Sequence, residues 1–344
     1  MNKFKLFFAL FLSLLLLTGC ALMPPPAPGT FSEDSLTVHF IDVGQADCAL
    51  LECNGEYMLI DGGNVDDSSL VVSYLQRQGV EELTAVVCSH GHEDHAGGLA
   101  GVMAVFPVQA VYTPSRTYSS ACFDDFMHYV NQQNLEIIIP APGDSFALGD
   151  AAVTVLGPVE PYADINNTSL VLSVTYGENS FLFTGDMELE AETDLLDYYS
   201  DFPAVDVLKV GHHGSSTSTG YRFLYTVDPA YAVISVGNGN DYGHPHREVI
   251  SRLTNAGIPT FRTDTLGTVL INSDGKELTV IWEKQSQSPT SVPPKQNIFI
   301  GNVNSKKVHL PICPGLPAEK NQILFFSYAE ALEAGCSPCG QCQP

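Results

Sequence analysis

The sequence predicts an α/β domain with layered sheets rather than a purely doubly wound one. Three observations carry that expectation. From Leu36 onward, short β-type runs alternate with amphipathic segments of helical period. Some runs follow one another as hairpins and others are separated by helices, which points to mixed sheets. With 344 residues, 44% of them hydrophobic, the chain can bury a full-sized core and carry a small extra module, which excludes a disordered or collagen-like protein.

Strands are expected where short apolar or alternating runs are bounded by turn-forming residues: Leu36–Val43, Ala49–Cys53, Tyr57–Ile60, Leu83–Cys88, Gln109–Tyr112, Glu136–Ile139, Ala152–Leu156, Leu170–Thr175, Ser180–Phe183, Val205–Val210, Ala230–Val236, Thr268–Ile271 and Leu278–Ile281. Helices are expected at Ser68–Gln78, Gly97–Phe106, Ser120–Asn134, Glu188–Tyr199, Thr219–Val227 and Arg247–Ala256, where apolar residues recur with helical spacing. Residues 285–295, rich in Ser, Gln and Pro, read as a linker. The expected organisation is a large domain over 35–284 and a small module over 296–344. No internal repeat is evident.

The front of the chain reads as an address. Lys3 and Lys5 precede an apolar run from Leu6 to Leu17 and a small-residue site, the pattern of an export signal over residues 1–19. The run is too short to span a bilayer, and Pro24, Pro25, Pro26 and Pro28 follow in a Pro-rich tether over 20–34. Leu17-Thr18-Gly19-Cys20 resembles a bacterial lipobox, which implies that Cys20 carries lipid and that the mature protein is an extracytoplasmic, cell-membrane lipoprotein. An ordinary secretory signal is the plainer alternative.

Acidic residues outnumber basic ones 39 to 15, for a formal charge of −24. No Lys/Arg stripe exists of the kind a duplex-coating protein needs to release counterions, so non-specific DNA binding through bulk charge is excluded. Of the nine cysteines, Cys88 lies in an apolar run and is expected in the core, while Cys48 and Cys53 have opposite strand parity and are expected to face opposite ways.

The strand ending at Cys88 runs into Ser89-His90-Gly91-His92-Glu93-Asp94-His95-Ala96-Gly97-Gly98. A tight loop there points His90 and His92 at one metal, while Asp94 and His95, entering a helix, face a second. Imidazole nitrogen with carboxylate oxygen suits Zn, Mn or Fe. Gly91 is expected to let the loop turn, and Gly97 and Gly98 to let the helix start close to the site. Asp186, just past the strand Ser180–Phe183, is placed to bridge two cations about 3.5–4 Å apart. Lys209-Val210-Gly211-His212-His213 repeats the pattern of an apolar strand ending in His, and His244 and His246 sit in a loop before a helix. Seven of the ten His fall in these three clusters, which supports a single site.

These residues carry a resemblance. His-x-His-x-Asp-His with Gly97-Gly98, the upstream Leu59-Ile60-Asp61-Gly62-Gly63 and the later Thr184-Gly185-Asp186 resemble the metallo-β-lactamase superfamily over residues 35–283. That resemblance implies an αββα sandwich. Within it Phe40-Ile41-Asp42-Val43-Gly44-Gln45-Ala46-Asp47, the run Asn166–Leu172, Lys209 with His212-His213-Gly214-Ser215, and Gly243-His244-Pro245 resemble the soluble hydrolase domain of the ComEC family of DNA-uptake proteins. Ala46 stands where that family has Gly. The resemblance implies His90 and His92 on a first metal, Asp94 and His95 on a second, Asp186 bridging, and His213 or His212 completing the second site. Asp61 would orient the His loop. Many superfamily members place another His before the Thr-Gly-Asp strand, where this chain has Asn166 and Asn167. An amide oxygen there implies a weaker first site or a harder ion such as Mn²⁺.

The implied cofactors are two divalent ions, Zn or Mn. They would lower the pKa of a bridging water to give a metal-bound hydroxide and neutralise charge on the substrate oxygen, so that no Ser or Cys nucleophile is needed. Asp94 is the expected proton acceptor, with His244, Lys209 or His213 stabilising the leaving oxygen. The ComEC likeness implies phosphodiester hydrolysis, with single-stranded DNA at the cell surface as the expected substrate. The chain lacks the membrane-channel spans of that family, and a monomer is expected. The charge of −24 opposes a polyanion substrate. Alternatives are a wall-linked or small-molecule phosphodiesterase or esterase, a β-lactamase proper, and a non-enzymatic surface lipoprotein that binds metal or DNA.

In the small module His309, Cys313, Cys339 and Cys342 combine one His-x₃-Cys and one Cys-x₂-Cys pair, the Cys₃His shell of a structural zinc. The spacing resembles the metal-binding module of the Ada family of DNA-repair proteins. His309 stands where that family has its methyl-accepting Cys, so alkyl transfer is not expected. Cys336 is spare, and Lys306 and Lys307 are candidates to touch phosphate. Disulfides among these thiols are the competing expectation.

Overall fold

Hairpins and crossover helices assemble two large sheets in the computed structural model, which describes residues 31–32, 34–289 and 294–344. The expected export signal, Cys20, most of the 20–34 tether and part of the linker lie outside the described residues. The strands are β1 (Leu36–Phe40), β2 (Ala49–Cys53), β3 (Glu56–Ile60), β4 (Leu83–Val87), β5 (Val108–Tyr112), β6 (Ile137–Ile138), β7 (Ser145–Leu148), β8 (Ala151–Gly157), β9 (Val171–Tyr176), β10 (Asn179–Phe183), β11 (Val207–Lys209), β12 (Tyr231–Ile234), β13 (Thr260–Arg262), β14 (Val269–Ser273) and β15 (Leu278–Trp282). One sheet runs β15-β14-β1-β2-β3-β4-β5-β6 and the other β13-β12-β11-β10-β9-β8-β7. Each has an antiparallel half and a parallel half, the parallel strands being β3 to β6 and β10 to β13.

The alternation of side chains along the strands explains the layers. Val38, Phe40, Leu51, Met58 and Val87 from the first sheet meet Val153, Leu172, Phe181 and Val207 from the second in one buried cluster. Phe40 and Phe183 stack across it with ring centroids 5.9 Å apart. The outer face of the first sheet is covered by helices Ser68–Arg77, Leu99–Val105 and Ala121–Gln132, and that of the second by Leu189–Tyr198, Tyr221–Val227 and Arg247–Asn255. The result is the αββα sandwich. Cys53 lies between the sheets and Cys48 under the outer helices, as their parity requires.

Three differences from the sequence expectation have physical causes. The helix expected at Gly97–Phe106 forms over Leu99–Val105, and a separate short helix, Glu93–Ala96, precedes it. The loop after β3 inserts at the break: Gly62 N donates to His95 O and Gly98 N donates to Gly63 O. A Cβ on Gly98 would collide with Gly62 O, so the two loops touch only because both residues are glycine. β1 stops at Phe40, after which the chain loops so that Asp47 N donates to Asp94 O at 3.0 Å. β7 and β13 were not expected: both are short edge strands, and β7 is half exposed, so neither makes a strong apolar run.

The C-terminal residues form a third sheet from β16 (Phe299–Asn302), β17 (Lys307–His309), β18 (Gln322–Phe325) and β19 (Ser337–Pro338), in the order β18-β16-β17-β19. Its core is small: Val308, Phe325, Ala331 and Cys336. It rests on the large domain through an ion pair of 2.6 Å between Arg252 Nη2 and Glu319 Oε1. No helix among the described residues is long and apolar enough to cross a membrane.

Candidate metal centre

The site forms where parallel strands end, the position in which open α/β sheets expose loop side chains. β4 delivers the His90–His95 loop, β10 delivers Asp186, and β11 delivers His212 and His213. The donor atoms of Asp94, His95, Asp186 and His213 lie within 4.8 Å of one another, and so do those of His90, His92 and Asp186. Asp186 belongs to both sets. Its Oδ1 is 3.1 Å from His95 Nε2 and 3.7 Å from His213 Nε2, while its Oδ2 is 3.9 Å from His90 Nε2 and 3.6 Å from His212 Nε2.

The electrostatics fit cations. His95 Nε2, His213 Nε2 and Asp186 Oδ1 are buried and make no directed hydrogen bond, although the first and last are only 3.1 Å apart. Burial opposes a charge on His95 and His213, yet Asp186 and the other carboxylates around them outweigh it: His95 is raised well above the usual histidine range, and His213 to about 10. Burial likewise opposes charge on Asp94, but His95 and His213 hold its carboxyl down at about 2. The buried acids thus favour positive charge at His95 and His213, whose Nε2 atoms are the nitrogens that a divalent metal would take unprotonated.

His212 and His213 diverge because both adopt left-handed backbone, φ 49° and 52°, at a cost of about 1–2 kcal/mol per residue. His213 turns inward to Asp94 and Asp186, and His212, partly exposed, lies beside the other oxygen of Asp186 and pairs through Nδ1 with Glu188 at 3.1 Å. The alternative between the two thus resolves into different places. His213 joins the second set and His212 flanks the first.

Asp61 sits under the His loop, accepting from Ser89 N at 2.7 Å and lying 2.9 Å from His95 Nδ1. Lys209 needs correction. It is buried, and its Nζ donates to Asp47 Oδ2 at 2.6 Å and Val210 O at 3.1 Å, so it holds the site together and does not face a leaving oxygen. Asn166 Nδ2 is 3.3 Å from Glu188 Oε1, and Asn167 accepts from Glu188 N at 2.9 Å, so both secure the entry to the helix Leu189–Tyr198. The His212 imidazole Nε2 lies 3.6 Å from Asp186 Oδ2, and the amide oxygen of Asn166 is buried without a hydrogen-bond partner. Gly91 has an ordinary backbone, and its smallness serves another end: a Cβ there would strike the Tyr118 ring.

Two residues escaped the sequence reading. Asp47 Oδ1 lies 3.2 Å from His213 Nδ1, so one carboxylate ties Lys209 to the second set. Gln45 reaches both Gly237 N, at 3.1 Å, and His244 Nδ1, at 3.3 Å, and so positions the His244 loop. Both fall in the motif Phe40–Asp47, which was the available signal. His244 is half-buried at 5.5 Å from the His212 ring, and burial together with the neighbouring imidazoles lowers it to about 4. His246 Nδ1 accepts from Ser216 N at 2.8 Å and is a structural residue.

In the small module His309, Cys313, Cys339 and Cys342 converge, their donor atoms within 4.8 Å of one another. The three thiols and the His309 imidazole are buried or nearly so, the cysteines are free, and Leu310 N and Gln341 N donate to Cys342 and Cys339 sulfur at 3.4 Å. Backbone N–H groups aimed at sulfur favour thiolates, the form that binds zinc. His309 Nε2 is buried without a partner.

Residues 41–237 match the Metallo-beta-lactamase superfamily. ComE operon protein 3 of Bacillus subtilis is 31% identical over 251 residues, covering 67% of this chain and 32% of its own length. Recombination protein 2 of Haemophilus influenzae is 31% identical over 270 residues, 75% of this chain and 31% of its own. Competence protein ComA of Neisseria gonorrhoeae is 30% identical over 262 residues, 74% and 34%. The chain spans about a third of the length of these curated relatives. Among solved structures, the metallo-beta-lactamase fold protein YhfI from Bacillus subtilis superposes with a TM-score of 0.49 at 14% identity, over 70% of this chain and 100% of that one.

Proposed function

The chain belongs to the metallo-beta-lactamase superfamily, and from that premise we propose that it is a metal-dependent phosphodiester hydrolase acting on single-stranded DNA outside the cytoplasm, held at the membrane by lipid on Cys20. The observation that carries the chemistry is Asp186, whose two oxygens face two separate donor sets. His90, His92 and His212 would hold one cation with Oδ2, and Asp94, His95 and His213 a second with Oδ1. Such a pair supplies Lewis acidity and makes water nucleophilic near neutral pH.

The residues of the chain divide the remaining work. Asp94 is the most accessible carboxylate of the set, its side chain 30% exposed, and accepts the proton of the attacking water. The Gln45 amide, Nε2 toward His244 Nδ1, leaves Nε2 of His244 to carry the proton and donate to a phosphoryl oxygen. Asp47 and Asp61 hold His213 and His95 from behind. DNA as substrate is supported by relatives whose names belong to competence and recombination. The Cys₃His cluster of the small module is proposed to bind one structural zinc.

The test is direct. The purified protein, stripped with chelator and reloaded with Mn²⁺ or Zn²⁺, is incubated with end-labelled single-stranded DNA beside His92→Ala. Metal-dependent cleavage lost in the variant is the expected result. No cleavage with either metal, together with turnover of small phosphodiesters, would move the function to a small or wall-derived substrate, the reading that the charge of −24 favours.

A further inference from the structure

The loop Gly237–His246 carries a feature that the hydrolytic site does not use. Tyr242 is 68% exposed, among the most exposed large side chains of the molecule, although it stands beside a buried centre. It is not loose. Asn240 clamps the loop, its Oδ1 accepting from Tyr242 N at 3.1 Å and His244 N at 3.0 Å while its Nδ2 donates to Gly237 O at 2.9 Å and His244 O at 2.7 Å. Gly243 turns the chain with φ 75°, a backbone that other residues rarely adopt. Gln45 fastens the same loop to the end of the first sheet.

The clamp holds three rings in a stair. Tyr242 lies on His244 with centroids 5.6 Å apart and planes at 23°, and His244 lies on His213 at 6.4 Å, again at 23°. The inner step is part of the metal centre and the outer step presents an open aromatic face to solvent. A fixed aromatic face is a stacking surface for a planar group, and its ordering cost is already met by the fold. Charge adds to the argument. A chain of net charge −24 gains little from counterion release on a polyanion, so affinity for a nucleic acid has to come from contacts that are not ionic.

The geometry points to Tyr242 as the platform of a nucleobase subsite, stacking the base next to the phosphodiester that is cut. This rests on the phosphodiesterase reading above. Tyr242 is a positioning residue: it holds the substrate while the reacting groups lie deeper.

Steady-state cleavage of a labelled oligothymidylate is compared with that of an abasic phosphodiester of equal length, using the full Mn²⁺-loaded protein and the variants Tyr242→Leu and Tyr242→Phe. The expected result is that kcat/KM for the base-bearing substrate, relative to the abasic one, falls about fivefold to 150-fold in Tyr242→Leu, mostly through KM, and recovers in Tyr242→Phe. An unchanged ratio in Tyr242→Leu overturns the platform while leaving the nuclease standing. A wild-type protein that cleaves neither substrate overturns the nuclease reading and the platform with it.

Discussion

Lys209→Met isolates the buried ion pair behind the metal centre. Lys209 and Asp47 side chains are 5% and 7% exposed, and their charged atoms are 2.6 Å apart. Methionine fills the same volume without the charge, leaving the Asp47 carboxylate in the interior with His213, at 3.2 Å, and His95 to compensate it. Breaking one partner of a buried pair costs about 3–5 kcal/mol. For a domain of this size each kcal/mol lowers Tm by about 2–4 °C, so the variant should melt roughly 6–20 °C below wild type. Urea unfolding followed by the single tryptophan, Trp282, which packs 6.0 Å from Phe261 at the edge of the core, reads the loss directly. Chelator in every sample keeps metal binding from adding its own stabilisation. Asp47→Leu combined with Lys209→Met removes both charges and should recover to within about 1 kcal/mol of wild type, because apolar replacement of a whole buried pair is often neutral. A single variant as stable as wild type, or a double variant no better than the single, refutes the account of Lys209 as a structural cation.

Four further outcomes are expected. His213→Ala and His212→Ala should each lower the metal content after dialysis from three equivalents, the structural zinc of the small module included, toward two, measured by plasma emission; a variant that keeps all three removes that residue from the ligand set. Glu192, buried beneath the helix Tyr221–Val227, is raised by that burial to about 7, against the pull of Gly220 and Thr219 N–H groups and of Arg252. Between pH 4.5 and 7 the unfolded chain releases this proton and the folded chain keeps it, so stability relative to Glu192→Gln should fall by about 3 kcal/mol as pH rises, then stay level; a flat difference in urea titrations would mean that Glu192 is ionised when folded. Gly91→Ala should cost about 1–3 kcal/mol by thermal unfolding, because the added methyl displaces the Tyr118 ring. Cys339→Ser should cost one zinc in native mass spectrometry and raise hydrogen exchange across β16 to β19, and two disulfides in place of zinc would defeat the metal reading.

Layered sheets were within reach of the sequence because strand alternation and helix period report which face is buried, as the opposite placing of Cys48 and Cys53 shows, and the αββα order followed from the resemblance of the His and Thr-Gly-Asp motifs. Edges were harder. β7 and β13 are short edge strands of three or four residues, and the helix after His92 breaks through an insertion from a loop some thirty residues earlier, which no local pattern records. In the site, His90, His92, Asp94 and His95 are recognisable as a group since they lie on one short loop whose covalent spacing already confines them.

The sequence by itself determined the donor types, their grouping at strand ends and a layered α/β domain, and the resemblance its motifs carry implied the sandwich. The tertiary structure decided which atoms face each other. His212 and His213 are neighbours in the chain, yet consecutive left-handed residues send them to opposite oxygens of Asp186. Lys209 is taken from chemistry into structure by Asp47, 162 positions away, and Asn166 is turned to Glu188. The physical reason is common to all three. Composition and periodicity describe one residue's surroundings on average, whereas hydrogen bonds and charge pairs depend on orientation to a fraction of an ångström, and that is set only once two sheets have packed.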